Sequence, residues 1–147
     1  MVGAEKNLND DSTGPRMVSV QVVRSRETYE GKQGFTYLRG LTGDTVGSKG
    51  ICMTTLVIPD GARAKTHLHL GVETAVYIID GHFEMFYGPE LKQHVDFSTG
   101  EYVFIPADVA HLVMNRSGSP ATALVAHSAP NDQERIVLLP ELDTLIP

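Results

Sequence analysis

The residues with the most chemical content lie in His67-Leu68-His69-Leu70-Gly71-Val72-Glu73 and, far along the chain, at His111. On an extended strand, side chains alternate faces with period two, so His67 and His69 point the same way. Their rings can then converge on one point, as metal binding requires. Glu73, just past a short turn, could add an oxygen, and His111, in a second strand-like run, a third nitrogen. A buried unpaired imidazole or carboxylate is costly in an apolar interior. A dication offsets that cost, and it needs neutral imidazole nitrogens and an ionised carboxylate. His67, His69, Glu73 and His111 therefore read as the ligands of one divalent transition metal, with positions left for water or substrate. The donor types do not choose among Mn, Fe, Co, Ni, Cu and Zn.

The elements that must position these residues read as strands. Val18 to Val23 alternates valine with other residues, as a half-buried strand does. Thr28 to Gly34 is a polar turn region. Phe35, Tyr37 and Leu41 suggest a short strand leading into the glycine-rich stretch Gly40 to Gly50. Ile51 to Ile58 is stopped by Pro59-Asp60-Gly61, a strong turn signal. Thr74 to Ile79 and Phe83 to Tyr87 flank Asp80-Gly81, a hairpin signal. Leu91 to Phe97, Tyr102 to Ile105, His111 to Asn115, Ala121 to Ala126 and Ile136 to Leu139 complete the series. Short strands between turn residues, with no long helical period, predict an all-β barrel or sandwich.

The chain has 147 residues and a net charge of −6. That length suits one domain with its own core. Residues 1–16 are polar and read as a flexible tail, 17–140 as the single domain, and 141–147 as a C-terminal extension. The acidic balance argues against nucleic acid or an anionic membrane surface as partner. The N-terminal segment lacks the apolar run of a signal peptide, and nothing approaches the ~20 apolar residues of a membrane span. The single Cys52 cannot form an internal disulfide and reads as a small buried hydrophobe, so a cytoplasmic setting is expected.

Two longer patterns frame the candidate ligands. The first runs Gly61, five residues, His67-x-His69, three residues, Glu73, then Gly81. The second runs Gly100, five residues, Pro106, His111, three residues, Asn115. The pair resembles the two signatures of the cupin superfamily, and in particular of its small single-domain members, over about residues 50–128. The resemblance implies a double-stranded β-helix, or jelly-roll barrel. It implies that His67, His69, Glu73 and His111 bind the metal, that Asn115 supports the fold nearby, and that the chain pairs as a homodimer. Val18 to Val23 would be the strand added to a neighbour's sheet edge.

The chain departs from the family pattern twice. Asp108 stands where a glycine is expected, and Asp tolerates unusual backbone angles better than most residues. Seven residues, not six, separate Glu73 from Gly81, and counting back six lands on Thr74. Either a bulge delivers Glu73 inward, or Thr74 faces the cavity and the site has three histidines alone.

Lys65 and Arg63 share parity with the histidines, so strict alternation aims them at the same cavity. Residues just after a turn are more often solvated, and that reading is preferred. Tyr77, Phe104, Met114 and His127 join Lys65 as candidates to line the pocket. Three functions are compatible with these residues. The first is a small metalloenzyme acting on an oxygen-bearing molecule, by isomerisation, hydrolysis or dioxygen chemistry. The second is a non-catalytic ligand-binding or sensor barrel. The third is a structural site that only stabilises the fold. The expected ligand of the first two is a small carboxylate or a sugar derivative.

Overall fold

Period-two alternation is strongest in Cys52–Ile58 and Ala121–His127, where every second residue is buried. These segments form strands β3 and β10, antiparallel neighbours in continuous register from Ala121 opposite Ile58 to His127 opposite Cys52. The computed structural model describes residues 18–24 and 26–147, so the proposed tail at 1–16 lies outside the described residues. The other strands are β1 (Thr28–Glu30), β2 (Thr36–Leu41), β4 (His67–His69), β5 (Thr74–Asp80), β6 (His82–Tyr87), β7 (Gln93–Ser98), β8 (Tyr102–Ile105), β9 (His111–Met114) and β11 (Ile136–Leu138). They form a six-stranded sheet, β1-β2-β3-β10-β5-β8, and a five-stranded sheet, β11-β4-β9-β6-β7. The protein is a jelly roll of two antiparallel sheets. Phe35, Ile58, Ile78, Phe83, Phe97 and Ile105 are buried in the core between them. Leu91, Leu112 and Met114 form a smaller cluster, against which Leu142 and Ile146 pack.

The turns explain several of the glycines and polar residues. Gly81 has φ 101°, and a Cβ there would stand 2.6 Å from the Ala121 Cβ, so the β5–β6 turn admits only glycine without a shift. Asp108 adopts φ 65°, the glycine-like conformation expected of it. Its Oδ1 accepts a hydrogen bond from the Gly71 N–H at 2.8 Å, and its own N–H donates to the His69 carbonyl at 3.1 Å. The end of β4 is thereby fixed from another segment. Asn115 is fully buried, with 0% of its surface exposed. Its Nδ2 donates to the carbonyls of Ile58 (3.0 Å) and Ser119 (2.7 Å), while its Oδ1 accepts from the N–H (3.0 Å) and hydroxyl (2.7 Å) of Ser117.

The structure corrects two local expectations and adds detail at two further segments. Val18 to Val23 joins no ladder among the described residues, and Val18 and Val20 are 99% and 97% exposed. Alternation gives a strand its two faces but not its pairing partner. Thr28–Glu30, read as turn, pairs with β2 because Tyr29 stacks on Tyr37 at 5.4 Å. Within Gly40 to Gly50 a single helical turn, α1 (Gly43–Val46), forms, because Thr42 and Thr45 cap each other's backbone. The C-terminal segment packs as a 3-10 turn at Pro140–Leu145. There Asp143 Oδ1 accepts from the Thr66 N–H at 2.7 Å, and the Arg63 guanidinium donates to the carbonyls of Asp143 (2.9 Å) and Ile146 (2.5 Å). No helix among the described residues is long and apolar enough to cross a membrane.

Asn115→Ala removes the partner of the buried Ile58 carbonyl and those of the Ser119 carbonyl and the Ser117 N–H. Urea denaturation should show a loss of about 3 kcal/mol; a loss below about 1 kcal/mol would show that water replaces the amide there.

Candidate metal centre

His67 and His69 lie on β4, and His67 stands directly opposite His111 of the neighbouring β9. All three are buried. One ring nitrogen from each can be chosen so that the three lie within 4.8 Å of one another. The ring centroids are 4.4 Å apart for His67 and His111, 5.1 Å for His67 and His69, and 5.4 Å for His69 and His111.

Backbone carbonyls set the orientation of two rings. The Lys65 carbonyl is 2.7 Å from His67 Nδ1, and the Val109 carbonyl is 2.9 Å from His111 Nδ1. A carbonyl only accepts, so Nδ1 carries the proton in both rings and Nε2 keeps its lone pair for a metal. Burial, reinforced by neighbouring imidazoles, lowers the pKa of His67 to about 4 and those of His69 and His111 to about 3. The rings are therefore neutral at physiological pH, the form a metal needs. The triad fits a divalent transition metal in donor type, protonation state and convergence.

The rings face a cavity of about 60 Å³ between the sheets. Its walls are mostly apolar, Phe35, Leu56, Ile78, Phe83 and Ile105 among them, and no Asp, Glu, Lys or Arg among the described residues lines it. From the six-stranded sheet, Thr74 and His127 reach the same cavity, together with Gln33 near its rim. Thr74 Oγ1 lies 2.8 Å from His127 Nδ1, and the His127 ring centroid is 4.7 Å from that of His69. Gln33 is buried and donates to the Tyr37 hydroxyl at 2.6 Å.

The structure brings His67, His69 and His111 together and places Glu73 outside their group, exposed to solvent. The Glu73 N–H donates to Ser128 Oγ at 2.9 Å, and its carbonyl accepts from the Ser128 N–H at 3.0 Å. The strand therefore enters the ladder with Thr74, 2% exposed, facing inward. The residue reached by counting back six from Gly81 is the one that faces the cavity.

That one-residue choice also decides Tyr77. With Thr74, Val76 and Ile78 inward, Tyr77 turns to the outer face and packs on Tyr102 at 4.9 Å. Phe104 points outward too and is 61% exposed. Met114 has opposite parity to His111 and belongs to the smaller cluster. Lys65 is exposed, because alternation breaks where Thr66 and His67 are buried in succession. Of the proposed lining residues, His127 reaches the cavity. Gln33 escaped sequence reasoning, since a lone glutamine in a polar turn carries no signal.

A family model described as a cupin domain matches residues 54–127, just over half of the 147-residue chain. No curated protein matches the sequence. Among solved structures, a single-site mutant of Bacillus subtilis oxalate decarboxylase is 20% identical, with TM-score 0.65 over 77% of this chain and 30% of that one. The Lactobacillus farciminis oxalate decarboxylase formate complex is 18% identical, with TM-score 0.65 over 82% of this chain and 36% of that one. The Schizosaccharomyces pombe Cnp3 cupin domain is 9% identical, with TM-score 0.56 over 65% of this chain and 64% of that one. These likenesses carry the fold. The chain spans about a third of the length of the two decarboxylases.

The buried imidazoles make stability depend on pH. Unfolded, they titrate near 6.5; folded, at about 3 to 4. As pH falls below 6.5 the unfolded chain takes up protons that the folded chain refuses, so stability present above that pH is lost on the way down to about 4. In metal-free protein each imidazole contributes up to about 1.4 kcal/mol per pH unit. Urea midpoints measured between pH 8 and 4.5 should be flat above about 7 and fall below it, with a shallower fall in His69→Ala. An equal slope in the variant would mean that His69 is not buried as the neutral form.

Proposed function

This chain belongs to the cupin domain family, and from that premise we propose that it is a small metalloenzyme whose His67, His69 and His111 hold one divalent transition metal against an oxygen-bearing small molecule. The observation that carries the reading is the convergence of three buried neutral imidazoles on one point of the cavity. Manganese is a candidate beside Fe, Co, Ni, Cu and Zn, since the B. subtilis oxalate decarboxylase has Mn(II) centres. When bound, such an ion polarises an oxygen of its ligand, or exchanges electrons if it is redox-active. The protein's own part is to orient Nε2 of His67 and His111 through the Lys65 and Val109 carbonyls and to exclude bulk water with apolar walls. Glu73 is exposed and plays no part in this reading.

A second reading, a binding or sensor barrel without turnover, is favoured by one observation. Among the described residues no carboxylate or ammonium lines the cavity, which leaves imidazoles and the Tyr37 hydroxyl for proton transfer. Recovery of unchanged ligand from a metal-loaded complex would support it, and product would support the enzyme. In either case the buried Cys52 suits a reducing, cytoplasmic setting.

The partner in assembly is a second copy of this chain. Apart from Asp80 at the end of β5, strands β3, β10, β5 and β8 turn uncharged residues to the outer face of the six-stranded sheet. Met53, Val57, Tyr77, Tyr102 and Phe104 are among them, with Tyr102 83% exposed. Outer faces of antiparallel sheets are ordinarily polar. Two copies of a net-negative chain can bring these faces together with one acidic residue of these four strands, Asp80 at the end of β5, on each. The exposed Val18, Val20 and Val22 extend the apolar surface available to such a pair.

Two measurements test these readings. Elemental analysis of protein purified without a His tag should find about one metal per chain, lost in His67→Ala and in His111→Ala and retained in Glu73→Gln. Retention in either histidine variant would remove that residue from the ligand set, and loss in Glu73→Gln would restore the carboxylate to it. Light scattering at micromolar concentration should give a dimer, and Phe104→Glu a monomer of unchanged fold; a wild-type monomer refutes the pairing.

A further inference from the structure

Beside the three imidazoles, the six-stranded sheet presents a polar pair. Thr74 on β5 and His127 on β10 are cross-strand partners. They are 2% and 6% exposed, with Oγ1 and Nδ1 2.8 Å apart. Thr74 Oγ1 has no other hydrogen-bond partner among the described residues. If Nδ1–H donated to Oγ1, the hydroxyl proton would be left without an acceptor in a buried site, which is costly. The hydroxyl therefore donates to Nδ1, and the proton of a neutral His127 ring sits on Nε2. Nε2 has no protein partner among the described residues, and the ring lines the cavity beside His69.

The charge of the centre follows from the same two positions. Thr74 occupies the inward position, and Glu73 lies in solvent. Three neutral imidazoles leave a bound dication with its full charge of about +2 in surroundings of low polarity. Among the described residues no acidic side chain lines the cavity to offset it. The missing negative charge must come from the ligand, and the cavity of about 60 Å³ suits a small one.

We infer that His127 is an anion-holding residue of this site, with Thr74 as the residue that positions it. The metal and His127 Nε2–H together select a small carboxylate over a neutral sugar or alcohol. One carboxylate oxygen meets the metal, and another oxygen of the same molecule accepts from Nε2–H. This inference rests on the metal-binding reading of His67, His69 and His111.

Cobalt(II) is a suitable probe, because its visible absorption reports both occupancy and ligand exchange. The Co(II)-loaded protein, titrated with acetate, should show a saturable spectral change. Glycerol at the same concentration should give none. His127→Phe should keep about one Co(II) per chain while weakening acetate binding about tenfold, the worth of a hydrogen bond to a charged group. Thr74→Val should weaken acetate binding in the same direction, and Thr74→Ser should restore it. Thr74→Glu, which supplies a carboxylate from the protein, should keep Co(II) and abolish the acetate response.

Unchanged acetate affinity in His127→Phe, or in Thr74→Val should His127→Phe fail to fold, overturns the inference and leaves the metal site standing. Loss of Co(II) from His127→Phe also overturns it, by making His127 a ligand. Failure of the wild-type protein to take up Co(II) refutes the metal reading itself, and the inference falls with it.

Discussion

The site depends on one antiparallel register, His67 opposite His111 between β4 and β9. Because side chains alternate, a slip of one residue would turn a ring away from the cavity. A strand of three residues holds such a register poorly alone, and β4 is not left alone. On its other side β11 pairs with all three of its residues. Just before it, the Thr66 N–H is held by the Asp143 carboxylate, and just after it the Gly71 N–H is held by that of Asp108. Two aspartates from distant segments thus clamp the ends of the shortest functional strand. The departure of Asp108 from glycine and the packed C-terminal segment share this physical role.

The clamp matters because the site is costly without a ligand. Each buried neutral imidazole has exchanged water for one protein hydrogen bond at most. His67 and His111 recover Nδ1 through carbonyls two residues back, while their Nε2 atoms face a largely apolar cavity. A shared cation is what such a convergence of lone pairs best accommodates. The depressed pKa values have the same origin, since burial resists the charged ring. A site that neither protonates nor relaxes at neutral pH is preorganised, and its rigidity comes from the backbone rather than from its own contacts.

The strand pattern and the His pair were legible because both rest on local periodicity. Ile51 to Ile58 and Ala121 to Ala126 alternate cleanly and lie within a residue of β3 and β10. The link from His67 to His111 was legible through the glycine and proline frames around them. What the sequence left open turned on register and partners. Glu73 and Thr74 differ by one position, and the Ser128 contacts that settle the turn come from a segment 55 residues away. Parity misplaced Lys65 because the chain before β4 is held by Asp143, outside any ladder. Tyr77 followed Thr74 automatically once that position was fixed. Val18 to Val23 has a strand's pattern, but a strand also needs an edge, and no edge is written locally.

The two sheets divide the chemistry. The five-stranded sheet carries the three imidazoles and covers its outer side with the Leu91, Leu112 and Met114 cluster and the C-terminal turn. The six-stranded sheet carries the apolar wall, the Thr74–His127 pair and an uncovered apolar face. The fold is shared with oxalate decarboxylases at about 20% identity, and a shared fold does not by itself fix the chemistry of either sheet. Exchanging a carboxylate for a hydroxyl at one inward position changes the centre's charge without moving the backbone. In an interior of low dielectric a single unit of charge outweighs any one hydrogen bond in the cavity. On the proposed metal-binding reading, the residue facing the three histidines would bear on the choice of ligand as much as the histidines do.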